Sequence, residues 1–127
     1  MNLGLNDKNN KKSANLLHSF RYACFGIIVA AKSERNMKIH LSVAITVIVF
    51  SIVFKLSLFE WLFILFAIGG VIALELVNTA IERVTDLASD DFHPLAKEAK
   101  DIAAGAVLVY SILAAIVGLI IFIPKLF

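Results

Sequence analysis

The chain has few of the residues that punctuate or cross-link a soluble fold. Among 127 residues there are one cysteine, two prolines and six glycines. A single thiol excludes an intrachain disulfide, and Cys24 reads as a small packing residue rather than a nucleophile. Phosphate-binding signatures are missing as well. There is no Gly-x-x-x-x-Gly-Lys-[Ser/Thr] loop, no protein-kinase glycine-rich loop and no dinucleotide fingerprint, so any phosphoryl transfer must use an unrelated solution. No nucleic-acid motif accompanies the net charge of +2, and nucleic acid is not an expected partner. The opening stretch MNLGLNDKNNKKSAN is polar and lysine-bearing, which is not the layout of a cleaved signal peptide. Internal repeats, Gly/Ser linkers and low-complexity tracts are also absent.

Apolar sequence fills the space these absences leave. Hydrophobic residues make up 60% of the chain and the mean hydropathy is +0.87, far above an ordinary soluble protein. Ile39 to Phe54 lies between Lys38 and Lys55, Leu56 to Leu74 contains only Glu60, and Ile102 to Pro124 is free of charge. A spanning helix needs about 20 residues. The third run qualifies outright, and the first two qualify if their flanking lysines and Glu60 snorkel. A soluble bundle would have to hide all three runs inside a small domain whose surface-to-volume ratio forbids it. The expected fold is therefore an all-α integral membrane protein with three transmembrane helices, at about 37–55, 57–88 and 95–123.

Ahead of the first span, Leu16, Phe20, Ala23, Ile27 and Ala31 recur at helical spacing, while Asn15, His18, Arg21 and Lys32 supply polar positions. Residues of about 15–33 thus read as an amphipathic helix on the membrane surface, following a flexible polar head over 1–14. Residues 15–127 read as a single domain. With the amino terminus in the cytoplasm, ten of the twelve Lys and Arg residues lie inside and only Lys55 and Lys125 outside, which sets the orientation.

That topology gathers the unusual polar residues on the cytoplasmic side. Glu34 closes the surface helix. After fourteen uncharged residues, WLFILFAIGGVIAL, the segment ELVNTAIERVTD places Glu75, Asn78, Glu82 and Asp86 at spacings of three and four, on one helical face. Asp91, Phe92, His93, Lys100 and Asp101 follow in the loop and at the start of the third span, where SDDFHP interrupts helix with turn and capping residues. Asp86, Asp90 and Glu98 read as solvated charges, and Glu34 with Lys38 and Lys97 with Asp101 as helical ion pairs. Glu75 does not, because an acidic residue at the hydrocarbon edge is costly unless it is paired or working. Carboxylates without cysteine suit a hard cation such as Mg2+, whose remaining ligands a nucleotide's phosphates would supply. A proton pathway would need polar residues at intervals across the bilayer, which the third span lacks. A non-enzymatic assembly subunit would account for Gly69, Gly70, Ala103, Ala104 and Gly105 as packing contacts, yet leaves the Glu75 face unexplained.

ELVNTAIERVTDL resembles the signature Glu-(Ile/Leu)-x-Asn-(Ser/Thr)-Ala-Ile-Glu-x-x-x-Asp of the prokaryotic diacylglycerol kinase family, and HPLAKEAKDIAAGAV resembles the Ala-Lys-Asp segment that follows it. AKSERNMKIH and the stretch from Tyr22 to Gly26 extend the similarity over nearly everything after residue 15. Arg35 and Asn36 after Glu34, together with EWLFILFAIGG and GLIIFIPKL, look like the Gram-positive, undecaprenol kinase branch. The resemblance implies a homotrimeric, ATP-dependent lipid kinase of the bacterial cell membrane, with active sites on the cytoplasmic side shared between chains. Its acceptor would be undecaprenol, with diacylglycerol as the alternative. Carried over by position, it implies Glu75 as catalytic base at the lipid hydroxyl and Glu34 and Glu82 as ligands of the metal held with ATP. Tyr22, Asn78, Asp91, Phe92, His93, Lys100 and Asp101 would join Glu34 and Glu82 in contacting ATP.

Overall fold

The computed structural model describes the backbone of residues 3–127 and the side chains of residues 15–127. The described residues form four helices and no strand: α1 (Leu3–Ser33), α2 (Arg35–Val53), α3 (Leu58–Ala88) and α4 (Pro94–Leu126). α1 belongs to one compact unit, Met1–Ser33, and α2 to α4 form a second, Glu34–Phe127. Within α1, Leu16, Leu17 and Phe20 are exposed and the His18 and Tyr22 rings stack. The polar head expected over 1–14 falls on residues whose side chains lie outside the described part. From Leu3 the backbone there is already helical.

Glu34 does not close α1, as the sequence reading had it. Its backbone is extended (φ −93°, ψ 125°) and it is the N-cap of α2, although its side chain makes no capping bond. The carboxylate is thereby free to point elsewhere, and its destination is described below.

α2, α3 and α4 are each long and apolar enough to cross a membrane. Their outward faces carry large exposed apolar side chains, Phe59, Phe66, Val109 and Ile120 among them, as lipid-facing helices do. At 31 residues, α3 is about 46 Å long against a hydrocarbon core of about 30 Å. Several of its turns therefore project beyond the apolar layer and carry the polar face begun at Glu75.

The α2–α3 connection is short because two caps meet in it. Leu56 N–H donates to Ser51 O and Lys55 N–H to Ile52 O, both at 3.1 Å, with Lys55 in the left-handed region (φ 52°). This is a Schellman ending in which lysine occupies the position glycine favours. Ser57 then opens α3 with a reciprocal capping box: its hydroxyl accepts from Glu60 N–H, and Glu60 Oε2 accepts from Ser57 N–H at 2.7 Å. Glu60 also pairs with Lys125 at 3.0 Å. The lone acid of the second run thus meets a cation from the far end of α4, and α3 and α4 are clipped together there.

α3 is the helix against which both α2 and α4 pack. Near the Glu60 end, buried Leu56, Ile64 and Ile121 form a core flanked by Phe54, Trp61 and Phe122. Midway along, the Tyr110 ring lies over Gly70 and its hydroxyl donates to Phe66 O at 3.0 Å. A Cβ on Gly70 would collide with that ring, whereas one on Gly69 or Gly105 would meet nothing. Of the small residues expected at helix contacts, Gly70 is the glycine whose lack of a side chain the packing uses. Gly70→Ala should displace Tyr110 from its carbonyl and destabilise the α3–α4 pair by about 1–3 kcal/mol. Thermal unfolding in detergent would read this, and Tyr110→Ala in the same chain should recover most of the loss. Equal stability of Gly70→Ala and wild type would show that α4 does not approach there.

Candidate active site

One stripe of α3 changes character as it leaves the apolar layer. Its buried residues are Ile64, Val71, Glu75, Asn78 and Thr79, so successive turns of the same face run from hydrocarbon to carboxylate and amide. Glu75 is only 2% exposed, Asn78 4% and Thr79 5%. One turn on, Asn78 Nδ2 donates to Glu82 Oε1 at 3.1 Å. Two atoms of this stripe have no hydrogen-bond partner: Asn78 Oδ1 and Thr79 Oγ1. Buried polar atoms left without partners cost about 1–3 kcal/mol each, and a fold tolerates them where a ligand will supply the missing contact.

Charge gathers around Glu75 from two helices. Glu34, at the head of α2, accepts from Arg83 Nη2 at 3.3 Å, and Arg83 sits beside Glu82 on α3. The ionisable side chains near enough to bear on Glu75 are His40 on α2, Glu82 and Glu34. All three expected carboxylates, Glu34, Glu75 and Glu82, therefore collect at one end of a single chain. The bland alternative for Glu34, a helical pair with Lys38, is replaced by the bond with Arg83.

The nucleotide contacts expected from sequence divide. A cavity of about 350 Å3 lies at the α3–α4 loop, where Asp91, Phe92, His93 and Lys100 line it together with Thr85 and Asp86. Ser89 ends α3, and Pro94 takes the first turn of α4. The N-cap of α4 is His93, whose Nδ1 accepts from Leu95 N–H at 3.2 Å. Asp101 lines a different cavity, with Phe92 and Pro94, and is paired with Lys97 as expected. Tyr22 belongs to the α1 unit. Asp86, read from sequence as a solvated charge, is exposed as expected and pairs with Lys100 across the two helices. Sequence reasoning also missed Arg83 and His40. A histidine near the start of an otherwise apolar span was a legible signal for His40.

A hard divalent cation fits this donor set. Among the described residues no three acidic, histidine or cysteine side chains form a ready-made metal cage. Mg2+ does not require one, since it takes one or two carboxylates and fills its octahedron with water and phosphate oxygens. Glu82, Glu34 and the unpartnered Asn78 oxygen offer that minority share.

Residues 21–122 match the prokaryotic diacylglycerol kinase family, and the chain belongs to it. It is 49% identical to an undecaprenol kinase of Bacillus subtilis over 108 residues, which is 85% of this chain and 88% of that protein. A diacylglycerol kinase of Synechocystis is 42% identical over 88% of this chain and 65% of its own length. Another, from Helicobacter pylori, is 30% identical over 74% of this chain and 73% of its own. Family membership and three apolar spans make this a multi-pass membrane protein, and a kinase family implies a nucleotide phosphoryl donor.

The buried polar stripe should cost stability that its removal returns. Thr79→Val, which keeps shape and deletes the unpartnered hydroxyl, should leave the detergent melting temperature unchanged or stabilise the fold by about 1 kcal/mol. Glu75→Gln should likewise not destabilise it. A clear fall in melting temperature for both would make the stripe structural.

Proposed function

We propose that this chain phosphorylates the hydroxyl of a membrane lipid, undecaprenol in preference to diacylglycerol, with Mg2+ and ATP. The observation that carries the reading is a buried carboxylate, one turn short of an amide and two turns short of a carboxylate that can hold a phosphate-bound cation. The choice of undecaprenol rests on the relative of that name, which is similar over most of both chains.

The chemistry assigns each group a task. Glu75 faces the point where a lipid's terminal hydroxyl arrives from the bilayer and accepts its proton. The hydroxyl oxygen attacks the terminal phosphorus of ATP, the bond from that phosphorus to the bridging oxygen breaks, and ADP leaves with the electron pair. Glu82 and Glu34, with Asn78 beside them, would hold Mg2+, which would supply neutralisation of charge on the phosphates. Lys100 leaves Asp86 for a phosphate oxygen, and Asp91, Phe92 and His93 border the nucleotide in the loop cavity. Tyr22 and Asp101 complete the expected contacts.

The site faces the cytoplasm of a bacterial cell, where ATP is found and where the basic residues concentrate. α1 lies on the membrane surface as an amphipathic helix, and three chains associate as a homotrimer. The flexible head and single-domain reading belong to the same proposal. The resemblance has neighbouring chains share each site, Glu34 and Glu75 coming from different protomers; we propose instead one protomer for the three carboxylates, a reading supported by the bond between Glu34 and Arg83 within one chain.

Glu75→Gln keeps shape but accepts no proton. It should abolish transfer of 32P from ATP to lipid while leaving nucleotide binding within about twofold. An active Glu75→Gln enzyme would remove Glu75 from the role of base. Glu82→Gln and Glu34→Gln should instead raise the Mg2+ concentration needed for half-maximal activity, and an unchanged requirement in both would contradict the ligand assignment. Co-assembled Glu34→Gln and Glu75→Gln chains should stay inactive, since no protomer then holds an intact set of carboxylates. Recovered activity after verified subunit exchange would place those carboxylates on different chains.

A further inference from the structure

Beyond the polar stripe, the α2–α4 unit contains a groove of about 390 Å3 that neither the carboxylates nor the loop cavity use. That size lies within the range of about 300–1,000 Å3 typical of small-molecule sites. Val43, Ala44 and Val47 line it from α2, Ile64 to Ile72 from α3, and Ser111 to Phe122 from α4. On α4 that stretch is about 16 Å long, roughly half of the hydrocarbon layer. The lining is apolar apart from His40 at one end and the Ser111 hydroxyl part-way along.

The ends of the groove are unlike. At the far end, Ile64 and Phe122 adjoin the apolar core around Leu56 and Ile121. At the near end are His40 and Val71, and Val71 lies one turn from Glu75 on the same buried stripe. The groove therefore adjoins, at its near end, the stripe that carries Glu75. Its polarity is that of an amphiphile with a single polar head: polar where the reacting hydroxyl must sit, then hydrocarbon. An alanine- and glycine-rich wall, Ala114, Ala115 and Gly118, keeps it open, and a Cβ on Gly118 would meet no atom within 4 Å.

We infer that this groove seats the first part of the acceptor's hydrocarbon chain, with His40 beside the acceptor hydroxyl at its mouth, and so makes reactivity depend on chain length. The inference rests on the lipid kinase reading and adds to it where the chain lies. The groove is too short for all of a long polyprenyl chain, whose remainder stays in the bilayer. Chain length beyond the groove then adds little, while chain length within it adds apolar burial that holds the hydroxyl against Glu75.

Gly118→Leu and Ala115→Leu place side chains in the groove without touching the carboxylates. The test compares kcat/KM for geraniol, farnesol and undecaprenol in mixed micelles, in wild type and both variants. Wild type should favour the longer alcohols. Each variant should lose tenfold or more of that preference while keeping the KM for ATP. A loss equal for all three alcohols, or a preference unchanged in both variants, would overturn the inference and leave the groove to bulk lipid or another helix. Wild type inert toward every alcohol would remove the kinase reading and the inference together. Should either variant fail to fold, a photoreactive farnesol analogue on the wild-type protein without ATP decides independently. Labelling within residues 111–122 that undecaprenol competes away supports the groove, and labelling confined to the outward faces of the helices overturns it.

Discussion

The fold is organised around keeping the Glu75 carboxylate out of water. An acidic side chain 2% exposed in a chain this apolar is costly, and nothing in the packing of three spans calls for it. The cost is tolerated because α3 continues past the hydrocarbon layer and brings Asn78 and Glu82 behind Glu75 on the same face. α2 contributes from its very start, where the break at Glu34 turns a carboxylate toward Arg83 instead of into another helical turn. The opposite end supplies the mechanical counterpart: the Schellman turn at Lys55, the Ser57–Glu60 capping box and the Glu60–Lys125 pair fix the register of α3 against α2 and α4. With that end fixed and Tyr110 seated on Gly70, the polar stripe at the other end has a defined position relative to the lipid.

Division of labour along α3 explains how one helix can serve substrates of opposite polarity. In the proposed reading its apolar half meets what arrives from the bilayer, and its projecting half meets what arrives from water. Glu75 sits at the changeover. The ion pairs that surround the wet half, Asp86 with Lys100 and Lys97 with Asp101, are exposed and individually weak. Under the proposed function, weak pairs suit residues that exchange partners when a phosphate enters.

Much of this was legible in the sequence because bilayers impose simple rules. Long uncharged runs give spans, and polar residues at spacings of three and four on an oily helix give a shared face. The α3 stripe from Glu75 to Glu82 is a case where periodicity alone identified the face. Contacts between elements distant in sequence were not legible. Glu34 offered Lys38 as a helical neighbour, and only the bend at its own backbone turns it to Arg83, 49 residues away. Asp86 is solvated as read, but its partner, Lys100, lies across a loop and could not be seen. His40 is a single polar residue on an apolar helix, and its bearing on Glu75 depends on how α2 and α3 cross. Tyr110 and Gly70 show the same: small residues mark possible contacts, and the partner chooses among them.

Competition for the phosphoryl group tests the central claim most directly. Undecaprenol and diacylglycerol, presented together in mixed micelles with 32P-labelled ATP and Mg2+, report the acceptor as a ratio of kcat/KM values within one reaction. The account predicts label in both lipids at low conversion, with undecaprenol favoured, and none when Mg2+ is chelated. Label in neither lipid, with the protein shown to be folded, would contradict it.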